Sequence, residues 1–378
     1  MKTKLRITDD PKEMIAIGKE IFKEKANIYN ERMLNILNKS IDKNMPDATE
    51  QEKTDMLYRS VYDYWVYGNN IDEEFYFHFY RKTHEEKSTY ITQKNRLLYI
   101  YHLNKKEDGY LLNDKYEAYL QLKDYYMRDV IQISSDADFE TFCDFVEKHP
   151  TYVVKPVDLA LAVGVYKATT LPTDDKRAAF DALLAEAKVN KSNYQWSDRD
   201  NSNPAAMVLE EIIEQDEGLA KIHPESVNGI RCTTIRVGDK VHLLHPWFKI
   251  GANGEFVTSA AAGTFDAGID AKTGIVDTNA FGEAQEEYEF HPDTGVRVPG
   301  YQIPKWDELL ALLDKIGRHF PTINYVGWDM VLTPKGWCIM EGNFAGEAMW
   351  QMVYGKGMKA ELEELIGWKP EPNKFWWE

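Results

Sequence analysis

The fold prediction starts from residues 325–343, which read Tyr-Val-Gly-Trp-Asp-Met-Val-Leu-Thr-Pro-Lys-Gly-Trp-Cys-Ile-Met-Glu-Gly-Asn. The stretch is typical of two strands joined around residues 333–336. Pro334 suits the first central position of a type I turn, and Gly336 suits the left-handed residue after it. This chemistry predicts a three-residue loop closed by Thr333 opposite Trp337.

That register places two carboxylates opposite each other. Asp329 faces Glu341, and Asn343 follows on the same face because strand side chains alternate. Facing carboxylates repel unless a cation or a proton intervenes, and all-oxygen donors suit magnesium, with manganese as the second choice. A polar hydrated face is the alternative, but we expect Val331 and Ile339 on the same face, which argues against it. The sequence therefore predicts a metal site.

These residues resemble the ATP-grasp superfamily, in which an aspartate on one strand and a Glu-x-Asn on the next hold magnesium under ATP. An upstream run is similar to the sugar-transfer-associated branch and comprises His223-Pro224, Ser226-Val-Asn228 and Arg231, with Gly229 where that branch has threonine. The resemblance runs in order over residues 112–366. It implies an α+β ATP-grasp fold, in which two α/β lobes grip ATP, with ATP and Mg2+ as cofactors.

The resemblance also assigns the residues that contact phosphate. Lys115 and Lys155 correspond to the nucleotide lysines, and Arg231 corresponds to the arginine that meets the γ-phosphate and the developing acyl phosphate. A planar guanidinium suits bidentate phosphate binding. A lysine on a buried strand is costly unless its ammonium reaches an anion or the solvent, so snorkelling is the alternative for Lys155. Arg231 and Lys155 are the expected catalytic residues.

The adenosine side of the site is expected on the strand that ends at Ile213. The resemblance implies that this backbone pairs with adenine, that Glu217 accepts the ribose hydroxyls, and that Glu210 or Glu211 assists. An acidic solvated turn over residues 210–217 is the alternative.

The substrate side is expected to include four residues and one segment. They are His223, Ser226, Asn228 and Lys249, with the small-residue run 259–268 lining the acceptor pocket. The phosphate-covering loop, residues 157–164, lacks the paired glycines that allow backbone amides to approach phosphate closely.

Three regions are expected along the chain. Residues 1–108 form an N-terminal helical region, 109–213 the N-terminal ATP-grasp lobe, and 214–378 the C-terminal lobe with the metal hairpin. The aromatics of residues 58–80 are predicted to be core. Asn113 is the expected N-cap of the next helix, which should run to Tyr126. Residues 190–204 read as an exposed loop.

Composition limits the partners. A formal net charge of −17 and the absence of a basic stripe argue against nucleic acid. No apolar stretch predicts membrane insertion or an export signal. Three separated cysteines without CxxC spacing argue against a disulfide framework or a thiolate zinc site and favour a reducing cytoplasm.

The leading hypothesis is a carboxylate–amine ligase that works through an acyl phosphate. Its small-molecule substrates would be derived from amino acids or sugars, in surface polysaccharide, cell-envelope or amino-acid conjugate biosynthesis. One alternative is an ATP-grasp phosphotransferase acting on a hydroxyl. Another is an ATP-binding scaffold without turnover. The oligomeric state stays open.

Overall fold

The computed structural model describes residues 5–159, 162–193, 205–254, 263–282, 286–346 and 350–371. Its helices are α1 (Pro11–Glu24), α2 (Glu31–Asn44), α3 (Glu50–Tyr67), α4 (Ile71–Tyr76), α5 (His84–Ser88), α6 (Asn95–Leu103), α7 (Tyr110–Asn113), α8 (Lys115–Leu122), α9 (Phe139–Lys148), α10 (Lys176–Asn193), α11 (Glu217–Ala220), α12 (Trp306–Gly317), α13 (Trp350–Val353) and α14 (Lys359–Ile366). Its strands are β1 (Val130–Ile133), β2 (Thr151–Pro156), β3 (Tyr166–Thr169), β4 (Met207–Glu211), β5 (Gly229–Val237), β6 (Lys240–Ile250), β7 (Phe265–Gly268), β8 (Ala280–Phe281), β9 (Glu287–Tyr288), β10 (Tyr325–Thr333) and β11 (Gly336–Asn343).

Helices α1–α6 form the N-terminal region, and several aromatic side chains of residues 58–80 are buried in it. Tyr62, Trp65, Phe75 and Phe79 are all buried, as the helical spacing predicts. The region is joined to the following fold by Asn104, whose Nδ2 donates to the carbonyl of Tyr325 at 2.8 Å and whose Oδ1 accepts the same residue's N–H at 2.7 Å. Within the described residues, no helix combines the length and apolar character that crossing a bilayer requires.

A group of charged side chains is buried among these helices. Lys87 donates to both carboxylate oxygens of Asp63 at 2.8 and 2.7 Å, and neither side chain is exposed. Asn69 donates to Glu74 at 3.0 Å. Burial and the neighbouring Asp63 charge raise the pKa of Glu74 to about 8, against the opposing charges of Lys87 and Arg59. Glu74 therefore holds its proton at neutral pH.

Glu74→Gln should remove part of the alkaline destabilisation of the protein. A carboxyl whose folded pKa is raised stabilises the fold below its unfolded pKa, and that contribution is lost as the pH rises towards about 8. Because one pKa unit corresponds to about 1.4 kcal/mol, the variant should exceed wild type by more than about 1 kcal/mol at about pH 8.5 and match it near pH 5. Urea unfolding across this range measures the difference.

The control for this prediction is Glu20→Gln, since Glu20 is exposed on α1. That variant should follow the wild-type pH profile. Parallel profiles for Glu74→Gln and wild type would show that the buried carboxyl is not the source of the pH dependence.

The first sheet has the antiparallel order β1-β4-β2-β3. One of its faces packs on α9 and α10 through Phe142, Phe145 and Phe180. Lys155 and Glu210 lie on the opposite face and contact each other there. This sheet thus presents charged side chains on the face that α9 and α10 leave uncovered.

The prediction for the helix before this sheet was wrong at its first residue. Asn113 ends α7, and the N-cap of α8 is Asp114, whose side chain accepts the N–H groups of Tyr116 and Glu117. Asn and Asp are about equally favourable as N-cap residues. The residue types alone therefore do not show which of these two neighbours caps the helix. The helical segment also breaks at Leu122 into a short 3₁₀ turn.

The second sheet has the antiparallel order β11-β10-β5-β6-β7-β8-β9. The hairpin of β5 and β6 turns at Gly238, which adopts φ +57°. Helix α12 buries Leu309, Leu313 and Ile316 against this sheet. The sheet therefore holds β5, β6, β10 and β11 side by side.

The hairpin of β10 and β11 departs from the predicted register and then recovers it. The turn has Pro334 and Lys335 as its central residues, since Thr333 pairs with Gly336 rather than with Trp337. The Thr333 hydroxyl donates to the carbonyl of Gly336 at 2.9 Å, which closes this tighter turn.

A β-bulge then adds one residue to β11. Met330 pairs with Ile339, and the next pair is Asp329 with Glu341, so Met340 has no partner of its own. Cys338, and not Ile339, therefore faces the same side as Val331. The predicted opposition of Asp329 and Glu341 is confirmed, although the loop that was expected to produce it is wrong.

Candidate active site

We call the region where Lys155 and Glu210 of the first sheet approach Asp329 and Glu341 of the second sheet the cleft, because Arg128 bridges the two sheets there. Its second-sheet side consists of strands β5, β6, β10 and β11.

Arg231 and Asp329 are cross-strand partners, and Nε and Nη2 of Arg231 donate to the two carboxylate oxygens at 2.7 and 3.0 Å. Lys249 Nζ lies 3.7 Å from Asp329 Oδ1, and Asn343 Nδ2 lies 3.4 Å from Oδ2. The structure thus brings four of the predicted site residues together.

Asp329 is held ionised although it is only 4% exposed. Burial would raise the pKa of this carboxyl, but the charges of Arg231 and Lys249 and the hydrogen bonds from Arg231 and Asn343 hold it below its usual value. Asp329 therefore contributes a buried negative charge to this side of the cleft.

Glu341 lies beside this pair and is more open to solvent. Its side chain is 36% exposed, and its Oε1 lies 3.6 Å from Nζ of Lys115. Lys115 also donates from Nζ to the carbonyl of Leu159 and from its backbone N–H to Val157. One lysine consequently joins the predicted metal hairpin to the start of the predicted phosphate loop.

The opposite side of the cleft carries Lys155 on β2 and Glu210 on β4. Lys155 Nζ lies 2.9 Å from Glu210 Oε2, which also accepts hydrogen bonds from Arg128 at 2.8 and 2.9 Å. Burial would raise the pKa of Glu210, but the two cations lower it to about 2. Glu210 is therefore an anion held between two cations through its Oε2, and its contact with the ribose stays a prediction.

Arg128 was missed by the sequence analysis. It precedes β1 without any motif spacing, and nothing local distinguishes it from a surface arginine. Only the pairing of β1 with β4, which puts Val130 beside Glu210, brings its guanidinium to that carboxylate.

The predicted adenosine contacts are spread over three positions. Glu211 points away from Glu210 and accepts the N–H of Asp129 at 3.0 Å, in a group with His149. Ile213 follows β4, and within the described chain neither its N–H nor its carbonyl has a hydrogen-bond partner. Glu217 begins α11 and is exposed. Their contacts with adenosine stay predictions.

Three of the predicted substrate residues are buried in one hydrogen-bond network. Asn228 Nδ2 donates to the carbonyl of His223 at 2.7 Å and to Gln215 Oε1 at 2.9 Å, while its Oδ1 accepts the N–H of Gly251. The Ser226 hydroxyl lies 2.8 Å from His223 Nδ1. These hydrogen bonds hold the segment before β5, and direct substrate contact stays a prediction.

The glycine-poor phosphate loop reaches left-handed backbone without relying on glycine alone. Ala162 has φ +56° and Gly164 has φ +71°. An alanine in this conformation is uncommon and mildly strained. Residues 160–161 of this loop, residues 194–204 of the predicted exposed loop and residues 259–262 of the predicted acceptor run lie outside the described residues.

The donor set of the hairpin fits a magnesium ion. Asp329 and Glu341 supply carboxylate oxygens, and the side-chain amide of Asn343 lies beside Asp329. So few protein oxygens leave coordination positions for water and phosphate, as magnesium prefers. In this structure Arg231 balances the charge of Asp329, and Lys115 lies 3.6 Å from Glu341.

Comparisons with known proteins agree with this architecture. A family model described as sugar-transfer associated ATP-grasp matches residues 94–366, well over half of the chain. No curated protein matches the sequence.

Several solved structures share part of the fold at low identity. The D-alanyl-alanine synthetase A of Vibrio cholerae is 12% identical with TM-score 0.38, over 68% of this chain and 65% of its own. The D-alanine–D-alanine ligase of Helicobacter pylori is 12% identical with TM-score 0.40, over 69% and 62%. The phosphoribosylamine–glycine ligase of Thermotoga maritima is 14% identical with TM-score 0.40, over 71% and 58%. The chain spans less than two thirds of each of these proteins, and similarity at this level gives no information on substrates.

Proposed function

Because this chain belongs to the sugar-transfer associated ATP-grasp family, we propose that it is an ATP- and magnesium-dependent carboxylate–amine ligase. The observation that supports the proposal is that Arg231 and Lys249 lie against Asp329 and Lys115 lies against Glu341, while Lys155 pairs with Glu210 on the opposite side of the cleft. Cations beside an oxygen-donor metal site suit a polyphosphate with its metal. We further propose that the lobes have the boundaries 109–213 and 214–378.

In the proposed reaction the γ-phosphoryl group moves from ATP to a carboxylate oxygen, and ADP leaves. The amine nitrogen then attacks the acyl carbon, the carbon–oxygen bond to phosphate breaks, and the nitrogen loses a proton. Lys115 and Lys155 hold the phosphates, and Arg231 contacts the transferred group. Magnesium, held by Asp329, Glu341 and Asn343, would supply positive charge against the phosphate oxygens.

Asp329 and Glu210 are poor candidates for the base that a hydroxyl acceptor would need. A hydroxyl needs a base to take its proton as it attacks. Asp329 and Glu210 are both ion-paired, and both pKa values are lowered, so neither is a good base. A carboxylate acceptor is already ionised at neutral pH and needs no such base.

The first prediction from this proposal concerns products. With ATP, magnesium and pooled amino acids and amino sugars, mass spectrometry should detect ADP, inorganic phosphate and a condensed product. The mass of that product should equal the sum of its two substrates less one water. A product heavier by a phosphoryl group would instead establish a phosphotransferase. Tight ATP binding without turnover across broader pools would favour the non-catalytic alternative.

A further inference from the structure

Arg128 is a buried arginine that joins the two sheets. Its side chain is 3% exposed. Nε and Nη2 contact Glu210 on β4 at 2.9 and 2.8 Å, Nη1 donates to the carbonyl of Ile339 at 2.6 Å, and Nη2 donates to the carbonyl of Met340 at 3.2 Å. Nη1 also donates to the carbonyl of Tyr126 at 3.1 Å. One guanidinium therefore touches both walls of the cleft.

The two carbonyls on β11 belong to the bulge that orients Glu341. In the register that runs from the turn to Met330, Glu341 would stand opposite Trp328. A shift of one residue sends a side chain to the other face of a sheet. Glu341 would then point away from Asp329. The bulge at Met340 prevents this, and Arg128 holds the backbone at that residue and the one before it.

The contact with Glu210 affects the phosphate side of the same cleft. Glu210 carries one negative charge between the cations Arg128 and Lys155. With Arg128 present the three groups have a net positive charge, so Lys155 keeps attraction for a phosphate. Without Arg128, the remaining carboxylate and Lys155 would form a neutral pair, and the lysine would be held by Glu210.

We propose that Arg128 is a positioning residue of the nucleotide–metal site: it fixes the β11 bulge so that Glu341 faces Asp329, and it offsets the charge of Glu210 so that Lys155 remains available to phosphate. This inference rests on the proposed ATP and magnesium site. It assigns Arg128 no contact with substrate.

The test measures binding of a non-hydrolysable ATP analogue by calorimetry, with magnesium and with EDTA. Arg128→Lys can still pair with Glu210 but cannot reproduce the planar fork that reaches two carbonyls. We call the ratio of analogue affinity with magnesium to analogue affinity in EDTA the magnesium factor. In Arg128→Lys the magnesium factor should fall about 10-fold or more, the size typical of losing a group that orients a metal ligand.

A matched control is Arg236→Lys. Arg236 also bridges a side chain and a backbone carbonyl, since it donates to Asn324 Oδ1 at 2.8 Å and to the carbonyl of Pro321 at 2.7 Å, on a part of β5 away from the cleft residues. Its variant should keep the wild-type magnesium factor.

A second pair of variants separates the two effects and guards against misfolding. Arg128→Met with Glu210→Gln leaves no unpaired buried charge from this pair, and it should fold yet lose the magnesium factor. Glu210→Gln alone leaves the guanidinium on the bulge, so it should keep that factor while changing affinity in EDTA.

The outcomes distinguish the inference from the function on which it rests. Wild type without any magnesium effect on nucleotide binding would overturn both. Wild type with a magnesium effect, and Arg128 variants that match Arg236→Lys, would overturn the positioning role alone.

Discussion

Glu341→Gln should abolish magnesium-dependent turnover while leaving the fold intact. The substitution keeps the size of the side chain and removes one of the two carboxylates expected to hold the metal. Metal stabilisation of the transferring phosphoryl group is worth several kcal/mol, and each 1.4 kcal/mol is tenfold in rate, so kcat should fall by about 1,000-fold or more.

The fold should tolerate this change because the Glu341 side chain makes few contacts that stabilise it. It is 36% exposed, and its only ion pair among the described residues is the 3.6 Å contact with Lys115. We expect the free energy of unfolding to change by no more than about 0.5 kcal/mol.

Nucleotide binding offers an independent readout for this variant. In EDTA, removing a carboxylate beside the phosphates should leave ATP affinity equal or tighter, because one repulsive charge is gone. With magnesium, the gain in affinity seen for wild type should disappear. Glu364→Gln, exposed on α14, is the matched control and should behave as wild type. Near-normal turnover by Glu341→Gln would remove Glu341 from the metal site.

The ATP-grasp fold was implied by the resemblance of the hairpin and of residues 223–231 to that family, and it is confirmed. Strand alternation and turn chemistry are short-range properties, so the two strands of the β10–β11 hairpin could be predicted closely. The register within that hairpin could not. Thr333 has a hydroxyl that closes a tighter turn with Gly336, and the bulge at Met340 is fixed by contacts with Arg128, which is far away in sequence.

In the candidate site too, features set by local sequence could be predicted, and features set by contacts distant in sequence could not. Asp329 and Arg231 could be placed together because each lies on a strand with a recognisable motif, and the structure pairs them. The competition for Glu210 could not be foreseen. The ion pairs of Glu210 are made by Arg128, which precedes β1, and by Lys155 on β2. Such contacts between residues far apart in the chain produce no periodic pattern in the sequence.

Arg231→Met should reduce both activity and stability, and magnesium should restore only the stability. In this structure Arg231 forms a bidentate ion pair with the carboxylate of Asp329, and the Asp329 side chain is 5% exposed. Removing one partner of a buried pair typically costs about 3–5 kcal/mol, because the other charge is left without compensation. Here Lys249, 3.7 Å away, should reduce that cost.

Magnesium distinguishes a structural from a functional ion pair at this position. If Asp329 is a metal ligand, the cation replaces the missing arginine, and urea unfolding of Arg231→Met should show a larger stabilisation by magnesium than wild type shows. The double variant Arg231→Met with Asp329→Asn should recover stability without metal and lose the magnesium response. Equal magnesium effects in all three proteins would place the metal elsewhere.

Activity gives the second half of this prediction. Arg231→Lys keeps a positive charge beside Asp329, so its stability should stay close to wild type. A lysine cannot fork a phosphate, however, and loss of one positioned donor to a developing charge typically costs about 100- to 1,000-fold in kcat. We expect that loss in kcat with a smaller change in the KM for ATP, because Lys115 and Lys155 still bind the nucleotide. An Arg231→Lys enzyme that turns over as fast as wild type would show that this arginine serves only to hold Asp329.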